Sequence, residues 1–168
     1  MTKVTPGPTE RLRFREMHDG DLDDLAALLG DPEVMRYYSS PKTREQAQGW
    51  IDWNLRNYAE HGFGLWIVET HDGEFVGDCG LTWQEVDGVR DVEVGYHVRT
   101  ALQGQGFATE AAAACRDAAR EAGVERLTAN VRADNIASQR VAQKIGLTEW
   151  TRSTGHGVDV VVFGAALA

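Results

Sequence analysis

The sequence predicts a single α/β (α+β) domain in which helices pack on a mixed β-sheet. Its 168 residues, of which 42% are hydrophobic, suffice for one domain with a substantial buried core. Segments with the alternation of strands lie between segments with the periodicity of helices. A strand–helix–strand order in the middle of the chain implies a crossover between parallel strands, whereas short glycine-containing turns elsewhere indicate antiparallel hairpins.

The first ten residues, MTKVTPGPTE, predict a flexible lead-in, because they contain two prolines and no apolar period. They lack the basic start and the apolar stretch of a secretory signal. No apolar run approaches the roughly 20 residues that cross a bilayer. We therefore expect a cytoplasmic protein with no membrane contact, whose residues 11–168 form one domain.

The next segments predict a strand and then a helix. Arg11 to Glu16 alternate in character, which is typical of a strand. Either Asp19 or Asp21 is expected to cap a helix, because four leucines follow at helical spacing: Leu22, Leu25, Leu28 and Leu29. A short second piece is expected from Asp31 to Tyr38.

A long helix is predicted next, followed by a hairpin and another strand. Thr43 and Gln46 match a capping box, so the helix begins there, runs towards Tyr58 and is ended by His61-Gly62. The following strands and turns are placed by alternation and by glycine-containing dipeptides. They are strands at 63–69 and 74–83 around a turn at 71–73, a turn at Asp87-Gly88, and a strand at 91–98.

The C-terminal half begins with a glycine-rich stretch, from which a helix runs to Ala122 with Gly123 as its stop. Asp134 or Asn135 is expected to open a later helix. The last predicted elements are a strand at 125–131, that helix, ending at Gly146, and a hairpin within 148–163.

Composition and charge argue against a nucleic-acid-binding surface and against a metal site. The net charge of −9 argues against a nucleic-acid surface, which needs clustered Lys and Arg, although an acidic surface suits a cationic substrate such as an amine. The only two cysteines, Cys79 and Cys115, are expected to be buried, reduced thiols. These cysteines and the five histidines show no metal-site spacing, so no metal is expected.

The most informative segment is the glycine-rich turn at Gln103-Gly104-Gln105-Gly106, between a strand and a helix. Such a turn leaves backbone N–H groups pointing outwards at the positive end of the helix dipole, which makes an anion site. Gly104 and Gly106 would let a diphosphate approach the backbone. The segment is neither a Rossmann turn, since Thr109 stands where the third glycine would be, nor a P-loop, since no G-K-[ST] follows.

Several motifs resemble the GNAT family of N-acetyltransferases. Gln103–Ala108 matches the family's pyrophosphate signature Q/R-x-x-G-x-G/A, the glutamate-bearing strand VEVGYHV precedes it, and Asn135–Ser138 and Lys144–Leu147 follow at the family's usual distance. With TERLRFREM and DPEVMRYY near the N-terminus, the chain is similar to the ribosomal-protein-alanine N-acetyltransferase branch. The resemblance covers roughly Thr9 to Phe163.

This resemblance implies a fold, a cosubstrate and a set of contacts. The fold would be a mostly antiparallel central sheet with helices on both faces and a splayed central strand pair, and the cosubstrate would be acetyl-CoA. His97 and Val98 would offer backbone groups to the pantetheine and the thioester oxygen. The expected cofactor-binding residues are His97, Val98, Gln103, Gly104, Gln105, Gly106, Phe107, Ala108, Thr109, Asn135 and Ser138.

Glu93 is the candidate general base. Alternation puts Glu93, Gly95 and His97 on one face of their strand, and a half-buried carboxylate has its pKa raised by desolvation. The alternative is a carboxylate in a structural hydrogen-bond network; the resemblance favours the base, acting through a water molecule or directly. Gly95 is a candidate β-bulge at the splayed strand edge.

Asn135 and Ser138 have both structural and functional interpretations. Asn135 suits a helix N-cap and, by resemblance, a contact with pantetheine; the two roles are compatible. Ser138, one turn later, is the candidate acid for the leaving sulfur, or a plain surface serine. Many GNAT enzymes have a tyrosine seven residues after this asparagine, but this chain has Ala142. A thiol with a pKa near 8.5 leaves fairly well unaided.

The acceptor is left open by the sequence. Aromatic residues are candidates for pocket walls, or for the core: Tyr37, Tyr38, Trp50, Trp53, Trp83 and Trp150. His156 and Asp159 are further candidates for acceptor contacts. The acceptor would be a protein N-terminal amine or a small amine such as an antibiotic or a polyamine, and the protein a monomer or a homodimer. A non-catalytic acyl-CoA-binding domain is the alternative from another class.

Overall fold

A computed structural model describes residues 3–154 and 157–167 of the chain. Seven strands and four helices are formed within these ranges. The strands are β1 (Leu12–Arg15), β2 (Leu65–Thr70), β3 (Phe75–Val86), β4 (Val89–Val98), β5 (Arg126–Arg132), β6 (Thr148–Ser153) and β7 (Val160–Ala166). The helices are α1 (Leu22–Leu29), α2 (Arg44–His61), α3 (Phe107–Glu121) and α4 (Ile136–Lys144).

The strands form one sheet in the order β1-β2-β3-β4-β5-β7-β6. Every neighbouring pair is antiparallel except β4 and β5, which are joined by the crossover through α3. These two central strands pair only at Val92 with Leu127 and at Glu93 with Thr128, and then diverge. The predicted mixed, mostly antiparallel sheet with a splayed central strand pair is therefore confirmed.

Helices cover both faces of the sheet, as predicted. The alternation along β2 shows the two layers: Trp66 and Val68 belong to the core beneath α3 and α4, whereas Leu65 and Ile67 belong to the core beneath α1 and α2. All four side chains are buried. Small residues on α3 allow close packing, and Cys115 lies with its sulfur 3.5 Å from that of Cys79 on β3, both as buried, free thiols.

Capping explains where the helices begin and end. At α2, Thr43 Oγ1 accepts from the Gln46 N–H (3.1 Å) and Gln46 Oε1 accepts from the Thr43 N–H (2.8 Å), which confirms the capping box, and Gly62 (φ 80°) ends the helix. The cap expected for α1 is wrong in its detail. Asp21 occupies the N-cap position but caps no N–H of α1, because its carboxylate accepts two hydrogen bonds from Arg15.

Two further expectations differ from the structure. The segment 31–38 forms consecutive turns rather than a regular element. The bulge predicted at Gly95 is wrong, because β3 and β4 stay in register from Val86 opposite Val89 to Gly77 opposite Val98. That hairpin closes through Asp87-Gly88, as predicted, with both residues at positive φ (50° and 82°).

The N-terminal segment lies against the domain. Residues 3–10 contain no helix or strand, but the N–H of Val4 donates to the C=O of Gly62 (2.9 Å) and Thr9 Oγ1 donates to Glu110 on α3 (2.5 Å). Across the described ranges, no helix has the length and apolar character needed to cross a membrane.

Candidate active site

The divergence of β4 from β5 leaves a cleft lined by backbone that is not paired with a neighbouring strand. At the far end of the hairpin the Arg99 N–H donates to the Val76 C=O (2.9 Å). Because hydrogen-bonded pairs alternate along an antiparallel ladder, the backbone of His97 bonds to β3, whereas the backbones of Tyr96 and Val98 face the cleft. The expected backbone contact from His97 is therefore corrected: Tyr96 and Val98 offer their backbone here, and His97 contributes its side chain.

The glycine-rich turn forms an open cradle at one end of this cleft. Gly104 (φ 78°) and Gly106 (φ 83°) adopt the left-handed conformation that side chains disfavour, and Gly106 is the N-cap of α3 without any side-chain cap. The first N–H groups of α3, at residues 107–109, have no acceptor within the helix. Together with the helix dipole they can bind a diphosphate. Gln103 Nε2 donates to the Val98 C=O (3.0 Å), which ties the turn to β4.

A brace from the N-terminal segment fixes the cradle from behind. Arg11 donates through Nη1 to the C=O of Gln105 (2.8 Å) and through Nε to Glu110 Oε1 on α3 (2.7 Å). Its guanidinium also lies 4.3 Å from the centre of the Phe107 ring. Hydrogen bonds from Thr9 and Arg11 lower the pKa of Glu110 against the opposing effect of its burial. The Gln105 carbonyl therefore faces the brace, and Gln105 is absent from the groove walls described next.

Two cavities meet at the cleft. A groove of about 530 Å³ runs from the cradle to β4 and contains all the expected cofactor-binding residues except Gln105. A second cavity of about 490 Å³ lies between the segment 31–38, the β3–β4 turn, β5 and β7. The residues that line both cavities are Tyr37, Tyr38, Asn135 and Ser138. The two cavities therefore meet beside these four residues.

Glu93 sits where β4 and β5 part. Its Oε2 accepts from the N–H of Asn130 (2.9 Å), so the carboxylate replaces the strand–strand hydrogen bonds that end there. Burial raises the pKa of Glu93 to about 7. The hydrogen bonds from Asn130 and the electrostatic effect of the nearby His97 oppose this rise. Glu93 lines neither cavity, whereas Asn130 lines the second one. A molecule in either cavity would therefore reach Glu93 through a water molecule rather than by direct contact.

Asn135 and Ser138 lie at the start of α4, opposite Tyr96. Asn135 Oδ1 accepts from the N–H of Ser138 (3.2 Å), so Asn135 is a helix N-cap. The Tyr96 hydroxyl lies 2.8 Å from Ser138 Oγ and 2.9 Å from the Ser138 carbonyl oxygen. Because a carbonyl oxygen can only accept, the Tyr96 hydroxyl can donate its proton to the Ser138 carbonyl. The Ser138 hydroxyl can then donate its own proton to the Tyr96 oxygen. Alternation along the strand places Tyr96 on the opposite face from Glu93, and no sequence motif indicates its hydrogen bond with Ser138.

A buried polar cluster lies on the other side of β4. The Asp78 carboxylate accepts from Trp50 Nε1 (2.9 Å) and lies 2.7 Å from His97 Nδ1, while His97 Nε2 lies 2.9 Å from the Tyr38 hydroxyl. Asp78 is 1% exposed and His97 8%, whereas Tyr38 is 50% exposed. Asp78 was missed from the sequence, since one aspartate within a predicted strand carries no motif.

The structure separates the other aromatic candidates. Tyr37 and Tyr38 line the cavities, and Trp53 packs against Trp50 with ring centres 5.2 Å apart. Trp83 and Trp150 lie at other cavities, where each is stacked with an arginine.

The remaining candidates for acceptor contacts are Asp159 and His156. Asp159 accepts from the Ala133 N–H through its backbone carbonyl (2.9 Å), and it lines neither cavity. His156 falls outside the described residues. Within 3–154 and 157–167, no group of three or more His, Cys, Asp or Glu side chains could hold a metal ion.

Comparisons with known proteins agree with this geometry. Residues 11–148 match the family model described as an acetyltransferase (GNAT) domain. The chain is 42% identical over 150 residues to the uncharacterized Bacillus subtilis protein YkkB, covering 88% of this chain and 87% of that protein. It is 31% identical over 142 residues to the uncharacterized N-acetyltransferase YoaA of the same organism, covering 82% and 80%.

Solved structures share the fold. An acetyltransferase from Agrobacterium tumefaciens superposes with a TM-score of 0.84 over 98% of this chain and 96% of that chain, at 24% sequence identity. The family match spans most of the domain, including β4, the cradle and α4. The chain therefore belongs to the GNAT family and is an acetyl-CoA-dependent N-acetyltransferase.

Proposed function

We propose that this enzyme transfers the acetyl group directly from acetyl-CoA to a primary amine, with both substrates bound together. The observation that carries the proposal is the junction of the two cavities at Tyr38, Asn135 and Ser138. The groove would hold the cofactor along β4 with its diphosphate in the cradle, and the second cavity would hold the amine. Holding both reactants in one site lowers the entropic cost of their reaction.

In the proposed mechanism Glu93, acting through a water molecule, removes one proton from the acceptor ammonium. The neutral nitrogen then attacks the thioester carbonyl carbon. A backbone N–H of β4 that faces the cleft, from Tyr96 or Val98, stabilises the oxyanion that forms. The intermediate collapses as the carbon–sulfur bond breaks and the electron pair goes to sulfur, beside Ser138. A carboxylate with a pKa of about 7 suits this role, because it is substantially ionised at neutral pH and still basic.

The acceptor is proposed to be cationic in its resting form. Glu85 and Asp87 line the rim of the second cavity, and Arg132 in its wall is paired with Asp134 (2.8 Å), which offsets its charge. An acidic rim attracts an ammonium ion. A protein N-terminal amine and a small amine both satisfy this chemistry.

Structures with this fold include enzymes for both acceptor classes. One is a spermidine N-acetyltransferase from Vibrio cholerae (16% identity, TM-score 0.76), and another is RimL, a ribosomal L7/L12 alpha-N-protein acetyltransferase (17% identity, TM-score 0.76). We propose a protein N-terminal amine, on the strength of the N-terminal and α4 motifs described above, with a small amine as the second candidate.

The test is a thiol-release screen with acetyl-CoA against peptides that differ in their first residue, polyamines and aminoglycosides. Mass spectrometry of each product would identify the acetylated nitrogen. We expect thiol release with at least one primary amine and a product mass increased by one acetyl group. Cofactor binding without thiol release across the whole panel would instead support an acyl-CoA-binding domain without catalysis.

Replacement of Ser138 by Ala is expected to lower kcat by less than about tenfold, because a thiolate of pKa near 8.5 departs without full protonation. Tyr96→Phe is expected to lower kcat by a similar factor, since the two hydroxyls form one hydrogen-bonded pair. Steady-state rates of the two single variants and of the double variant check this. A loss of 100-fold or more in Ser138→Ala would make Ser138 an obligatory acid instead.

A further inference from the structure

The cluster of Asp78, His97 and Tyr38 has a defined direction of hydrogen bonding. Both carboxylate oxygens of Asp78 are occupied, one by the Trp50 N–H and the other by His97 Nδ1. An ionised carboxylate only accepts, so Nδ1 carries the proton of a neutral His97 ring. Nε2 is then an acceptor, and the hydroxyl proton of Tyr38 points to it. The three residues form a chain from a buried carboxylate to the hydroxyl of a half-exposed tyrosine.

Tyr38 is the member of this chain that lines both cavities, whereas Asp78 lines neither and His97 only the groove. The pKa of the Tyr38 hydroxyl is raised above its usual value, because the hydroxyl is enclosed and lies near the carboxylates of Glu93 and Asp78. Tyr38 therefore remains protonated at neutral pH. Its oxygen can accept a new proton only while it passes its own proton to His97.

The reaction needs such an acceptor. An ammonium ion carries three protons and the product amide nitrogen carries one, so two protons leave the acceptor nitrogen in each turnover. Glu93 can hold one of them. The second becomes strongly acidic once the nitrogen has attacked the thioester, and it must leave as the intermediate collapses. Tyr38 lies at the junction of the cavities, where that nitrogen would be.

We propose, resting on the function proposed above, that Tyr38 is a further catalytic residue and that His97 and Asp78 are positioning residues behind it. As the intermediate collapses, the N–H bond of the attacking nitrogen breaks and its proton goes to the Tyr38 oxygen. The Tyr38 O–H bond breaks at the same time, and that proton goes to His97 Nε2. The carbonyl re-forms and the carbon–sulfur bond breaks, with its electron pair on sulfur. The resulting imidazolium is stabilised by ionised Asp78, and the proton later returns through Tyr38 to solvent.

The test compares Tyr38→Phe with the wild type across ethylamine, 2-fluoroethylamine, 2,2-difluoroethylamine and 2,2,2-trifluoroethylamine, which fall in basicity as fluorine atoms replace hydrogen atoms on one carbon. We expect Tyr38→Phe to lower kcat about 10- to 100-fold for ethylamine, with an unchanged KM for acetyl-CoA. The defect should shrink along the series, because the intermediate of a weakly basic amine loses its proton more readily. An equal defect for all four amines would mean that Tyr38 only shapes the cavity, and would overturn the proposal.

His97→Gln keeps a polar side chain but cannot accept and hold the proton, so it should reproduce the Tyr38→Phe pattern, and the double variant should be no slower than either single variant. His71→Gln is the matched control, because His71 is an exposed histidine in the turn between β2 and β3, and it should leave every rate unchanged. Additive losses in the double variant would overturn the proposal.

A second measurement separates this proposal from the proposed function. Nitrogen-15 NMR of histidine-labelled protein, assigned with His97→Gln, reports which ring nitrogen of His97 carries the proton. We expect Nδ1 protonated and Nε2 unprotonated at neutral pH, with the Nε2 signal shifted in Tyr38→Phe. This readout needs no turnover, so it holds if no amine is acetylated. A protonated Nε2 at neutral pH would overturn the chain of proton transfer even in an active enzyme.

Discussion

The Glu93→Gln enzyme is expected to turn over at least about 100-fold more slowly than the wild type at neutral pH, with little change in its affinity for acetyl-CoA. Glutamine retains an oxygen that can accept from the Asn130 N–H, so the splay between β4 and β5 keeps its hydrogen bond. The variant loses only the carboxylate that can take a proton. Steady-state kinetics with the best acceptor, and calorimetric titration with acetyl-CoA, measure the two quantities.

The pH dependence of kcat tests the same role of Glu93. Burial raises the pKa of Glu93 to about 7, so the ionised base is lost as the pH falls through that value. The wild-type kcat should therefore fall about tenfold for each pH unit below about 7, and the small residual rate of Glu93→Gln should lack this slope. An unchanged rate in the variant, or the same acid limb in both enzymes, would remove Glu93 from the role of base.

The free energy of unfolding provides a control for the slow rate of Glu93→Gln. A carboxylate whose pKa is higher in the folded state binds its proton more tightly there, so the folded state loses stability as the pH rises from about 4.5 to about 7. Glu93→Gln removes this cost, and its free energy of unfolding above pH 7 should exceed that of the wild type by up to about 3 kcal/mol. A variant that is slower and yet more stable cannot owe its slow rate to unfolding. Urea denaturation at two pH values measures the difference.

The sequence revealed the parts of the site that lie in continuous segments. The cradle depends on Gly104, Gly106 and the start of α3, which are neighbours in the chain, and its anion chemistry follows from backbone geometry. The Asn135 N-cap and the Asp87-Gly88 turn are likewise local, since each requires a residue type at a fixed place in an element. The structure places all of these elements as predicted.

The contacts that join distant segments were not predictable from periodicity. Asp78, His97 and Tyr38 come from β3, β4 and the turns after α1, and only the sheet register and the position of α2 bring them together. Whether the His97 backbone bonds to β3 or faces the cleft depends on which residues of β4 form the hydrogen-bonded pairs with β3. The Asp87-Gly88 turn fixes those pairs, whereas the alternation of side chains does not. The brace from Arg11 to Glu110 crosses 99 residues and had no local signal.

A negative charge at Gly104 is expected to weaken acetyl-CoA binding by at least about tenfold. Gly104 has a φ of 78°, and a Cβ built there meets no atom within 4 Å, so the position offers room but disfavours most side chains. Asn and Asp tolerate this conformation best and have nearly the same shape. Comparing Gly104→Asp with Gly104→Asn therefore cancels backbone strain and size and leaves the added charge, close to where the diphosphate would lie.

The expected difference in Kd between the two variants follows from the repulsion between the Asp carboxylate and the diphosphate. At a site partly open to solvent, about 1.4 kcal/mol of repulsion corresponds to a tenfold change in Kd. Calorimetric titration of acetyl-CoA into both variants measures it, and added salt should narrow the gap because it screens the repulsion. Acetyl-pantetheine lacks the diphosphate, so both variants should use it equally well as a donor. Equal Kd values for acetyl-CoA in the two variants would place the diphosphate elsewhere, and with it the thioester that Glu93 and Tyr38 are proposed to serve.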